Sequence, residues 1–142
     1  MRVGQRHAQC NVVVVRAQRR TNALFHVAHT TFCGTPAYMA PEVLMNKGRS
    51  REALVPYDVK ADVWSLGIVL FVLISGVLPW SDSMPTELQI SYGRIEFDDP
   101  CWSKVPKVIQ DLVLQLTAPS PCFRIQAVDA YEHACLCSAI LM

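Results

Sequence analysis

The stretch Asp58-Val59-Lys60-Ala61-Asp62-Val63-Trp64-Ser65-Leu66-Gly67-Ile68-Val69-Leu70-Phe71-Val72-Leu73-Ile74-Ser75-Gly76-Val77-Leu78-Pro79-Trp80 decides the fold. Its charges sit at the start, where either Asp58 or Asp62 is placed to cap a helix. From Val63 to Trp80 no charged residue occurs, and Val, Ile, Leu and Phe fall on every face of a helical repeat. Such a helix belongs in a domain centre or in a bilayer. Gly76 and Pro79 end it after Ser75, which leaves it too short to cross a hydrocarbon core of about 30 Å comfortably. A buried core helix is the favoured reading and membrane insertion the weaker alternative.

Outward from this helix the pattern stays helical. Pro85 to Tyr92 reads as a short helix, and Gly93 to Pro100 as a turn with an extended stretch. Val105, Val108, Ile109, Leu112, Val113 and Leu116 share one helical face within 105–117, and Pro119 and Pro121 stop that helix. A final helix is expected over 125–136, with Val128, Tyr131 and Ala134 or Cys135 on one side. Upstream, Thr30 to Val43 is an ordered loop with Gly34, Pro36 and Pro41. Glu42 to Met45 adds a helical turn, and Asn46 to Tyr57 is an exposed loop. The β-branched run Val12 to Val15 predicts a strand followed by a turn or short helix. With no alternating strands and no internal repeat, the fold class is mainly α.

Composition narrows the function. A chain of 142 residues suits one domain, and 51% hydrophobic against 18% charged residues argues against disorder. A formal net charge of +1 gives no overall basic field for nucleic acid. The charge is uneven, however, because residues 1–41 hold Arg2, Arg6, Arg16, Arg19 and Arg20 but no Asp, Glu or Lys. The six cysteines form no C-x-x-C pair, so neither a zinc site nor a thioredoxin-like motif is indicated, and free thiols in a reducing compartment are expected. No secretory pattern opens the chain, which points to the cytoplasm or nucleus. An Arg-rich, acid-free head is also compatible with a mitochondrial transit peptide, although it has no Ser before Ser50.

Cys33-Gly34-Thr35-Pro36-Ala37-Tyr38-Met39-Ala40-Pro41-Glu42-Val43 resembles the end of a protein-kinase activation segment, with its A-P-E motif. Asp62-Val63-Trp64-Ser65-Leu66-Gly67 resembles the D-x-W-S-x-G start of the central kinase helix, and Ser75-Gly76-Val77-Leu78-Pro79-Trp80 follows in family order. Ile90, Gly93, Phe97, Trp102 and Val105 are similar to the I-x-x-G-x-x-x-F…W-x-x-V pattern of the calmodulin-dependent and checkpoint serine/threonine kinases, with Arg124 and His133 at that group's late Arg and His. The resemblance implies a kinase C-lobe-like helical subdomain, truncated, with no N-lobe and no catalytic loop. It divides the chain into a divergent basic segment at 1–29, a partial kinase domain at 30–137 and a tail at 138–142.

The resemblance also assigns roles. Thr35 and Pro36, with Gly34 and Tyr38, fall where such kinases form the pocket for the residue after the phosphoacceptor, and a small hydroxyl residue suits serine/threonine specificity. Thr31 falls at the activation-loop phosphorylation position, or is an ordinary loop threonine. Glu42 and Arg124 are expected to meet as a buried ion pair, a structural role shared by Asp62, Trp64 and Gly67.

Kinase chemistry needs a Lys on the phosphates, an Asp and an Asn on Mg²⁺ and an Asp on the acceptor hydroxyl. In the family these precede A-P-E, whereas here the first Glu is Glu42, the first Lys is Lys47 and the first Asp is Asp58. No catalytic, cofactor-binding or metal residue is therefore assigned, and neither ATP nor Mg²⁺ is expected to bind this chain although both serve the family. The expected partner is a protein substrate or regulator. The family's preceding helices normally cover the central helix, so its apolar faces between Val63 and Val77 are expected to be exposed, allowing self-association. Asp62, which in the family receives hydrogen bonds from the catalytic loop, is expected to be an unpaired charge near a core unless solvent or the N-terminal segment supplies donors.

Overall fold

A computed structural model describes residues 12–13, 28–29 and 35–136. Val12–Val13 (β1) and Ala28–His29 (β2) pair antiparallel, with Val12 opposite His29 and Val13 opposite Ala28. All other regular structure among the described residues is helical: α1 (Pro41–Leu44), α2 (Lys60–Ser75), α3 (Thr86–Tyr92), α4 (Lys107–Leu116) and α5 (Ala127–Tyr131), with short 3-10 turns at Pro36–Tyr38, Arg51–Ala53 and Pro100–Lys104.

α2 is the centre. Asp58, rather than Asp62, satisfies its first turn, its Oδ1 accepting the Lys60 N–H at 2.8 Å. Gly76 closes it with φ of +76°, a left-handed conformation that costs glycine little, while its N–H bonds Val72 O at 2.8 Å. Trp64, Ile68 and Phe71 bury one face of α2 among Met39, Val43 and Ile90, and each aliphatic or Phe side chain so buried stabilises the fold by about 1.5–3 kcal/mol. Phe71 also joins Phe97 and Trp102 in an aromatic cluster, with Phe97 and Trp102 centroids 4.6 Å apart. On another face Val63 packs with Leu112, Leu116 and Ala130.

α2 and α4 cross closely at Gly67. A Cβ built there would stand 2.5 Å from Thr117 Cγ2 and 2.8 Å from Leu116 Cβ. Thr117 is itself pinned, its Oγ1 donating to Val113 O at 2.6 Å.

Three local expectations differ from what the chain adopts. The helix expected over 125–136 is interrupted: α5 ends at Tyr131 and helical geometry resumes at Ala134. Within α5 it is Ala130 that is buried, whereas Val128 and Tyr131 face solvent. Ala130 packs in a cluster with Val63, Leu112 and Leu116. Third, the 46–57 loop is not wholly exposed, because Asn46 is buried and its amide holds both Val55 O (2.8 Å) and Val55 N–H (2.7 Å). One amide side chain thereby does what a strand pairing would.

α2 is not sealed all round. Leu66, Val69 and Leu73 are exposed, Leu73 to 77%, whereas Val63, Trp64, Ile68 and Phe71 are buried; Val77, just beyond the helix, is exposed too and lies outside this stripe. The exposed stripe, with Leu112, Leu116 and Ala130, borders a groove of about 350 Å³. Among the described residues no helix is long and apolar enough to cross a membrane.

Candidate functional site

The segment 35–42 is held against the helices by the backbone carbonyls of Ala37 and Tyr38, by the buried Met39 and Ala40, and by Glu42. Pro36 starts the 3-10 turn with its fixed φ, and Tyr38 N–H and Met39 N–H close it onto Thr35 O and Pro36 O, both at 3.1 Å. Ser65 Oγ, from the buried side of α2, donates to Tyr38 O at 2.8 Å. Trp80 Nε1, beyond the end of α2, donates to Ala37 O at 2.8 Å. These two bonds span 27 and 43 residues of sequence and leave the Thr35 and Pro36 side chains exposed, with Tyr38 half-buried. The result is a fixed wall presenting a hydroxyl and a proline ring to solvent.

Behind it, Glu42 and Arg124 meet across 82 residues. Arg124 Nη1 donates to Glu42 Oε1 at 2.6 Å and Nη2 to Oε2 at 3.0 Å, the bidentate fork that matches guanidinium to carboxylate. The remaining guanidinium N–H groups donate to Lys60 O (2.6 Å), Ala118 O (3.0 Å) and Pro119 O (3.2 Å). A guanidinium has five N–H donors, and here each has an acceptor. Full satisfaction lets its side chain stay at 0% exposure, with the Trp64 ring 5.2 Å beneath its central carbon.

Of the other residues singled out from the sequence, Trp64 and Gly67 are buried in α2. Asp62 is exposed on the first turn of α2, facing solvent rather than the core, so water can solvate its carboxylate. Thr31 and Gly34 lie outside the described residues. Sequence reasoning missed Lys60. Its ammonium turns back from the first turn of α2 to donate to Pro121 O at 2.7 Å and Arg124 O at 3.0 Å, tying the Pro-rich loop to the helix start. A Lys in a helix's first turn opposes the helix dipole, and that is the local signal that it has acceptors elsewhere.

Two exposed carboxylates are shifted. The Lys47 ammonium bonded to Glu87 pulls that carboxyl below its usual range and links the end of α1 to α3. The Cys101 backbone N–H on Asp99 does the same at the start of the 100–104 turn, and in return Asp99 pushes the Cys101 thiol up. Among the described residues no cluster of His, Cys, Asp and Glu is arranged to hold a metal ion.

A family model described as the protein kinase domain matches residues 14–136. The chain is 39% identical over 114 residues to the ovarian-specific serine/threonine-protein kinase Lok of Drosophila melanogaster, covering 79% of this chain and 23% of that protein. It is 43% identical over 117 residues to CBL-interacting serine/threonine-protein kinase 10 of Arabidopsis thaliana, covering 82% and 22%. Against calcium/calmodulin-dependent protein kinase type 1 of Caenorhabditis elegans it is 37% identical over 105 residues, covering 72% and 28%. It thus spans about a quarter of the length of these relatives. The mainly helical core around α2 and the kinase match over most of its length lead to one conclusion: this chain belongs to the protein kinase domain family.

Proposed function

We propose that this chain is the activation-segment end and helical C-lobe part of a serine/threonine protein kinase, the part that receives protein substrate, and that it neither binds ATP nor transfers phosphate by itself. The observation carrying the first half is the wall at 35–38, locked through Tyr38 O and Ala37 O, with Thr35 and Pro36 turned to solvent. A wall fixed through its main chain can place a substrate backbone without an ordering cost of its own on binding. Thr31, just upstream, is the position where phosphorylation would act on such a segment.

The second half rests on donor chemistry. Phosphoryl transfer requires a cation on the phosphates and carboxylates on Mg²⁺. Residues 1–41 offer arginines but no Lys, Asp or Glu, so the groups that would hold ATP and Mg²⁺ do not fit this stretch.

Two experiments test the two halves. Grafting residues 35–136 over the corresponding stretch of the C. elegans relative is expected to preserve phosphorylation of a Ser/Thr peptide; a folded chimera that binds ATP but leaves the peptide unmodified overturns the substrate-receiving role. For the second, Mg²⁺-ATP is expected to leave the melting temperature of the purified chain unchanged. A ligand that binds the native state must raise it, so a nucleotide-dependent rise refutes the proposal.

The exposed stripe at Leu66, Val69 and Leu73 favours a second reading, a non-catalytic kinase-like module that binds another protein. Failure of the chimera together with a stable stoichiometric complex of the chain in cell extract would favour it.

A further inference from the structure

A second groove, of about 390 Å³, opens between the turn after α2, the end of α3 and the stretch 94–99. Its apolar surface comes from Phe71, Leu78, Trp80, Met84 and Tyr92, and its rim from Glu96, Asp98 and Asp99. Arg94 is the one cationic side chain among the residues that line it, and Arg94 Nε is already 2.9 Å from Glu96 Oε1. Trp80 has committed its indole N–H to Ala37 O, so what it offers the groove is ring surface.

The walls are built in advance. Gln89 on α3 grips the 81–84 turn three times, its Nε2 donating to Ser81 O and Met84 O, both at 2.7 Å, and its Oε1 accepting Ser81 N–H at 2.9 Å. Opposite, Asp99 is fixed by accepting the Cys101 N–H at 2.8 Å, and Phe71 underneath is held by Phe97 and Trp102. Met84 and Tyr92 remain 41% and 69% exposed between these fixed edges. A preformed apolar trough that ends in carboxylates favours a ligand joining apolar bulk to positive charge, and repels anionic ones.

We propose that this groove is a docking site for a basic segment of a partner polypeptide, in which a bulky aliphatic residue seats against Met84 and Tyr92 while an adjacent Arg or Lys reaches Asp98 and Asp99. The carboxylates supply orientation and a salt-sensitive approach rate, and the apolar trough supplies residence time. The groove adjoins the 35–38 wall through Trp80 but is lined by none of its residues, and it does not depend on catalysis anywhere in the protein.

The test is fluorescence anisotropy of the full chain with three labelled peptides that alternate Arg with Leu, Arg with Ser and Glu with Leu. The Arg/Leu peptide is expected to bind, with affinity that falls as salt is raised, and the other two to bind at least about tenfold more weakly. Asp98→Lys and Met84→Ser are each expected to weaken the Arg/Leu peptide by about tenfold or more, with Asp98→Asn as a milder charge variant should the reversal fail to fold. Equal binding of Arg/Ser reduces the effect to bulk charge and overturns the proposal, as does Arg/Leu binding that ignores both variants. Replacing Arg16, Arg19 and Arg20 together by Gln in the full chain is expected to leave the affinity unchanged. A gain would make the chain's own basic segment the occupant and overturn the partner assignment.

Discussion

Lys60 and Arg124 each hold the other's backbone: Lys60 Nζ donates to Arg124 O at 3.0 Å while Arg124 Nη1 donates to Lys60 O at 2.6 Å. The start of α2 and the 117–124 loop are therefore joined twice, and Glu42 completes the knot from α1.

That arrangement ranks the substitutions. Glu42→Gln leaves the guanidinium with three backbone carbonyls and the new amide oxygen as acceptors, whereas Arg124→Met takes the donor from those carbonyls and strands a carboxylate. Removing one partner of a buried pair costs about 3–5 kcal/mol, a large share of the roughly 5–15 kcal/mol that holds a domain together. Urea unfolding is expected to show Glu42→Gln folded but weakened and Arg124→Met unfolded or nearly so. Equal midpoints for the two would contradict the ranking.

Gly67→Ala tests the close crossing of α2 and α4. The new methyl meets Thr117, whose rotamer is held by its bond to Val113 O, so the helices must part. Overpacking of this kind costs about 1–3 kcal/mol. The double variant Gly67→Ala with Thr117→Ser, which removes the clashing methyl and keeps the hydroxyl, is expected to recover part of the lost melting temperature.

The Lys47–Glu87 pair predicts a pH and salt dependence. Because the folded-state carboxyl of Glu87 is depressed, its contribution is present above the usual carboxylate range and is lost as the pH falls through the lower folded value. Wild type is thus expected to exceed Lys47→Met in stability at neutral pH, with the difference vanishing in acid and shrinking in high salt. A difference that persists under both conditions would point to packing by the Lys stem instead.

Thiol chemistry separates two cysteines. Asp99 pushes the Cys101 thiol up, so little thiolate forms near neutral pH, while Cys122 is exposed. Peptide mass mapping after brief treatment with iodoacetamide is expected to find Cys122 modified well before Cys101, and Asp99→Asn to accelerate Cys101.

How much of this was readable beforehand depends on the range of each interaction. The end of α2 at Gly76 and the stop after α4 were legible, because Gly, Pro and an apolar repeat act within a few residues. The Glu42–Arg124 meeting, 82 residues apart, has no local trace and came only from resemblance to kinases. Asn46 illustrates the opposite error: polarity beside Gly48 suggested a surface loop, yet the amide is buried as a substitute for strand pairing. α5 misled for a third reason, since five residues are too few to fix which side of a helix faces inward.

The side-chain hydrogen bonds that fasten the 35–38 wall both land on main-chain oxygens, Ser65 on Tyr38 O and Trp80 on Ala37 O. Every amino acid carries that oxygen. These two bonds therefore place no demand on the side chains at 37 and 38, of which Tyr38 answers only to its packing against the core, whereas the fasteners Ser65 and Trp80 cannot be exchanged without losing them. Selection on what the segment recognises is in this way uncoupled from selection on where it stands.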